Sequence, residues 1–119
     1  MKVYHYSDTV IKNFSPDHAR PYQIWGVYFA KEGAKEWGNR RYKYTFETGK
    51  TRLCPSDIAR ETFLEESGKG KNFGKITSQI LKKKGYQGVN IGKNEIVVFD
   101  ISGMKLLKME DRGYNKNNY

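Results

Sequence analysis

Residues 84–100 constrain the fold of this chain more than any other stretch. Lys84-Gly85-Tyr86-Gln87-Gly88-Val89-Asn90-Ile91 leads into Gly92-Lys93-Asn94, and Glu95-Ile96-Val97-Val98-Phe99-Asp100 follows. Two apolar runs, 87–91 and 95–101, flank three turn residues. A connection that short brings the second strand back beside the first, so the segment predicts an antiparallel hairpin. It also sets one carboxylate, Glu95, at the mouth of an otherwise apolar strand. A charge beside a low-dielectric core interacts more strongly than in water, so it needs a partner or a task there.

The rest of the chain reads as short elements. Residues 2–6 predict a strand with Val3 and His5 on one face and Tyr4 and Tyr6 on the other. Ser15-Pro16-Asp17 and Arg20-Pro21 are turn signals within an irregular 7–25. Gly26 admits a second strand, Val27-Tyr28-Phe29, and Ala30, Ala34 and Trp37 predict a short helix over 31–38. Tyr42, Tyr44 and Phe46 alternate with Lys43, Thr45 and Glu47, the pattern of a half-exposed strand. After Pro55 a helix runs to about Ser67, with Ser56 or Asp57 as its N-cap. Gly68-Lys69-Gly70-Lys71-Asn72 is a basic loop without the glycine–lysine–serine or threonine signature of a phosphate loop. A second helix follows, with Phe73, Ile76, Ile80 and Leu81 on one face. Lys82-Lys83-Lys84 sits in its last turn and Gly85 at its C′ position, so the helix dipole accounts for the lysine run. Leu106-Leu107 predicts one more strand. With no repeat and no interior linker, the expectation is one α+β domain over 1–112 and a frayed polar tail over 113–119.

Composition narrows the function classes. Twenty-two Lys and Arg against 13 Asp and Glu give a net charge of +9, which attracts anions: nucleic acid, phosphate groups or an acidic protein face. The single cysteine, Cys54, excludes an internal disulfide and a multi-cysteine zinc site, and reads as a structural or exposed thiol. No apolar run spans a bilayer and the first residues lack a secretory apolar region, so a cytoplasmic protein with no membrane partner is expected. The two histidines, His5 and His18, lack neighbouring ligands, and no metal is expected.

Taken singly, the chemical residues have ordinary readings. A lone His on a strand is most often structural, and His18 in a loop reads as a surface residue. Tyr28 reads as core, and Glu95 as a solvated carboxylate or a partner of Lys93. Taken together, three motifs carry a resemblance. Tyr4-His5-Tyr6-Ser7 with Phe14, then Gly26-Val27-Tyr28-Phe29-Ala30 with Ala34 and Trp37, then Gly85–Val89 with Glu95–Asp100 and Met104-Lys105, occur in this order over most of the chain. The set resembles the ADP-ribosyltransferases, particularly the small bacterial and phage domains of the polyvalent-protein type.

The resemblance implies a compact split sandwich of two small antiparallel sheets with two or three helices and an NAD cleft between them. It implies transfer of ADP-ribose from NAD, a co-substrate, to a macromolecular acceptor, an acidic or nucleic-acid-associated host protein. Glu95 would stabilise the oxocarbenium-like sugar, Tyr28 would stack on nicotinamide, and His5 would hold the adenosine ribose. The backbone at Tyr6 and Ser7 would grip the carboxamide, and Arg20 and Lys31 are candidate phosphate ligands. A phage or mobile-element protein acting in the host cytoplasm fits this picture. Two positions depart from the pattern: Tyr6 stands where many relatives have Gly, and Lys93 where arginine-modifying relatives have Glu. The latter argues against arginine as acceptor. The alternatives are an NAD glycohydrolase and a catalytically silent basic module. For the latter, Arg40-Arg41-Tyr42-Lys43-Tyr44 would contact nucleic acid or an acidic protein. An RNA 2′-phosphotransferase would need an Arg/His-rich phosphate site, which the sequence lacks.

Overall fold

The computed structural model describes residues 1–14, 23–34 and 40–113. Its elements in chain order are β1 (Lys2–Ser7), β2 (Val27–Lys31), β3 (Tyr42–Glu47), β4 (Leu53–Cys54), α1 (Ser56–Ser67), α2 (Phe73–Lys83), β5 (Gly88–Asn90), β6 (Glu95–Val98), a 3₁₀ turn (Ile101–Gly103) and β7 (Lys105–Asp111). The architecture is α+β. The strands form one mixed sheet of order β4-β5-β6-β2-β1-β3-β7. The expectation of two separate antiparallel sheets is thus replaced by a single hydrogen-bonded one. Two features account for the difference. The two-residue β4, which has no periodic signature, pairs parallel with β5 because α1 and α2 form the crossover between them. And β1 joins β2, though only through Val3↔Lys31 and Tyr4↔Ala30. On its other edge β1 pairs with β3 over all six residues.

Side-chain alternation along the strands builds two cores, one on each face. Val3, Phe29, Phe46, Ile96 and Val98 form the first, closed by Ile11 and Phe14. Val89, Val97, Phe99 and Cys54 form the second, with Ala59 of α1 and Leu81 of α2. Cys54 is buried, which pushes its thiol pKa up, as suits a structural thiol. Three local expectations are corrected. Thr45, flanked in register by Tyr4 and Lys108, is buried, so β3 is not half-exposed at that point. The N-cap of α1 is Pro55, with no side-chain cap, because its extended backbone lets its carbonyl accept from Ala59 N at 3.1 Å. On α2 the buried positions are Gly74, Thr77, Ser78 and Leu81, whereas Ile76 is 39% exposed. Small residues let the helix approach closely, and the Thr77 hydroxyl is satisfied by the Phe73 carbonyl at 2.6 Å. Residues 32–34 form a turn after β2; the remainder of the expected 31–38 helix lies outside the described residues, as do His18, Arg20 and 114–119.

The predicted hairpin is present, in the register Gly88↔Val98, Val89↔Val97 and Asn90↔Ile96. Its tightness depends on Gly88. A Cβ there would lie 2.5 Å from the Val97 carbonyl oxygen and 2.9 Å from Leu53 Cδ2. Gly88→Ala is therefore expected to destabilise the protein by about 1–3 kcal/mol, the usual cost of overpacking. Gly68→Ala, whose Cβ would meet nothing closer than 3.7 Å, should stay near wild type. Urea unfolding of both variants checks the contrast, and equal midpoints would refute it.

Candidate active site

The weak β1–β2 junction positions the site. Beyond Tyr4↔Ala30 the two strands part, and the ladder is replaced by a side chain: His5 Nδ1 lies 2.8 Å from the Tyr28 carbonyl oxygen. That bond makes Nδ1 the protonated nitrogen and leaves the Nε2 lone pair as an acceptor. The ring is wedged edge-on between Phe14, at 5.4 Å, and Phe29, at 5.7 Å. Burial lowers the His5 pKa below its ordinary 6.5, and the bond to the Tyr28 carbonyl opposes this only in part.

Where the strands part there is a cavity of about 190 Å³. His5, Tyr6, Tyr28, Arg40 and Glu95 are on its walls. A larger cavity of about 850 Å³ lies between the sheet and α1, with Ile24, Ser56, Ala59, Arg60 and Ile91 among its walls. Tyr28 and Glu95 line both. The larger volume falls in the range of small-molecule sites, about 300–1,000 Å³.

Each wall residue has a local cause. Tyr28 alternates with Phe29 on β2, so Phe29 faces the first core and Tyr28 the cavities. Its hydroxyl donates to the Ile24 carbonyl at 2.8 Å, which fixes the ring. Burial first, and then the Glu95 charge, push its pKa well above 10, so the phenol stays protonated. Glu95 opens β6 opposite Ala30. Of the two ordinary readings of Glu95, the pairing with Lys93 is not formed, and among the described residues no side chain bonds or ion-pairs the Glu95 carboxylate. Partial burial raises its pKa above 4.5. Glu95 is only partly buried, so its carboxylate is open both to water and to a ligand entering either cavity.

The other sequence candidates fall differently. Tyr6 is on the cavity wall, while Ser7 forms a turn with Thr9, whose N–H donates to Ser7 Oγ at 3.1 Å. Lys31 Nζ donates to the Asn90 side chain and the Gly92 carbonyl, so it ties the β5–β6 turn to β2. Arg40, ion-paired with Asp8, was not singled out from the sequence as a site residue. Its only signal was membership of the Arg40–Tyr44 basic run. Among the described residues no group of three His, Cys, Asp or Glu is arranged to hold a metal, and no helix is long and apolar enough to cross a membrane.

The lowered His5 pKa carries a stability consequence. The unfolded chain binds a proton near pH 6.5, while the folded chain resists it until lower pH. Stability from this group is full above pH 6.5 and is lost as pH falls toward the lowered native value. Thermal unfolding between pH 4.5 and 8 should show that loss, and His5→Gln should flatten it. An unchanged profile in the variant would mean that His5 titrates normally. No protein-family model, curated protein or solved structure matches this chain.

Proposed function

We propose that this protein cleaves NAD and transfers ADP-ribose to a macromolecular acceptor, with Glu95 as the catalytic carboxylate. One observation carries the reading: His5, Tyr28 and Glu95, from three distant stretches of the chain, line a single cavity. The weakly joined β1–β2 boundary, within the single sheet, is read as the place where an NAD cleft like that of the ADP-ribosyltransferases would open. NAD suits the donor set, which offers an imidazole acceptor, an aromatic face and an unpartnered carboxylate beside a cavity of ligand size.

In this reading the C1′–N bond of the nicotinamide ribose breaks and its electron pair leaves with nicotinamide. A bond forms between C1′ and an acceptor atom, which loses its proton. Glu95 accepts a hydrogen bond from the ribose and stabilises the positive charge that grows on the sugar. The Tyr28 ring packs against nicotinamide, and the His5 lone pair accepts from the adenosine ribose. Binding both ends of the dinucleotide orients the scissile bond. The cytoplasm of a host cell, for a phage or mobile-element protein, belongs to the same reading.

Incubation of the protein with NAD labelled in the adenosine half, with and without cell lysate, tests it. Label on a macromolecule is the expected result. Free ADP-ribose alone would make the protein a hydrolase. Neither product, together with no NAD binding by calorimetry, would overturn the enzymatic reading.

A further inference from the structure

The face of the sheet that carries Tyr28 is divided. Its β5–β6 end is packed against α1 and α2 through Ala59 and Leu81. Among the described residues α1 and α2 pack on β5, and neither has a comparable contact with β1, β3 or β7. Tyr4, in register with Ala30, lies on this face, and so does Tyr6. Their Cα atoms are about 7 Å apart along the strand. Cations lie over them: Lys43 Nζ is 4.5 Å from the Tyr4 centroid and 6.0 Å from that of Tyr6, and Arg112 Cζ is 5.1 Å from the Tyr6 centroid. Strand alternation and register add Lys2 and Lys108 to the same face. Its carboxylates, Glu47 and Glu110, are already ion-paired, with the Met1 amino group and with Lys108. The face is thus an aromatic platform with an excess of positive charge, and Tyr4 and Tyr6 continue from it into the wall of the cavity that holds Glu95.

From this juxtaposition we infer that the β1–β3–β7 face binds single-stranded nucleic acid and presents it to the Glu95 cavity. The binding surface stands independently of the ADP-ribosyl transfer reading; the presentation of the strand as acceptor rests on that reading. Base faces are accessible only in an unpaired strand, and any base stacks on a tyrosine ring, so the platform is tolerant of sequence. An incoming base stacks against a tyrosine ring beside these cations, and the phosphate that follows it lies in their positive field. A purely acidic peptide would use the charges and leave the rings without function.

Fluorescence anisotropy with a labelled 15-nucleotide oligothymidylate and the intact protein tests the surface. Tyr4→Ala and Tyr6→Ala should each weaken binding roughly tenfold, while Tyr6→Phe keeps wild-type affinity and guards against misfolding as the cause. Lys43→Gln should reduce the slope of log affinity against log salt by about 0.7. Equal affinity for duplex DNA or polyglutamate, or insensitivity to both the tyrosine and Lys43 changes, would overturn the surface. Adenosine-labelled NAD added to the same oligonucleotide tests the second step. Label on the strand, lost in Glu95→Gln, supports presentation. NAD cleavage without labelling of a bound strand overturns presentation alone, and no NAD cleavage overturns the transfer reading while the binding result stands.

Discussion

Glu95→Gln is expected to lower the rate of nicotinamide release by about 10²–10³-fold without unfolding the protein. The amide keeps the shape of the side chain and removes the negative charge, so it isolates electrostatic stabilisation of the sugar cation. Stability should not fall, because the carboxylate has no partner among the described residues and is partly desolvated. A neutral amide there has less desolvation to overcome. The same group sets a pH dependence. Only the ionised carboxylate stabilises positive charge, so wild-type rate should rise with pH through a midpoint above the ordinary 4.5, in the direction that burial dictates. Measured release rates between pH 4 and 8, alongside thermal unfolding of both proteins, check these points together. A variant that turns over at the wild-type rate would remove Glu95 from the mechanism.

Phe29→Ala is expected to cost about 3–5 kcal/mol of stability, the usual range for emptying a large aromatic from a core. Domains have only about 5–15 kcal/mol in total, so this is about a fifth of the stability or more. The melting temperature should drop by roughly 10–20 °C. Phe29 is only 1% exposed, and its ring meets Phe46 edge-on at 5.2 Å and His5 at 5.7 Å. The neighbouring residue gives the control. Tyr28 is half-buried on the opposite face of β2, so Tyr28→Ala should cost less stability and more of the affinity for NAD. Thermal and urea unfolding of the pair, with NAD calorimetry, separates the two faces of the strand. A loss below about 1 kcal/mol for Phe29→Ala would mean that the first core collapses around the vacancy far better than close-packed interiors do.

Much of this was decided by local sequence. Alternation placed His5 with Val3 and Tyr4 with Tyr6 on opposite faces of β1, and the Gly92-Lys93-Asn94 turn dictated the hairpin that carries Glu95. Gly85, with φ of +92°, ended α2 as its position in the sequence implied, because glycine adopts that backbone at no steric cost. These features depend on a few consecutive residues, and so a linear reading reaches them. The tertiary structure decided the rest. The parallel β4–β5 pair is set by a crossover of two helices, not by its own two residues. Close packing of α2 chose Gly74, Thr77 and Ser78 for the buried face over the apolar Ile76. Lys31 and Arg40 are both basic residues beside the cleft, yet the first ties down a turn and the second lines the cavity. The parting of β1 from β2, which opens that cavity, depends on where one imidazole replaces a ladder hydrogen bond. Side-chain type and spacing determine which face a residue occupies; only the meeting of distant strands determines what it meets there.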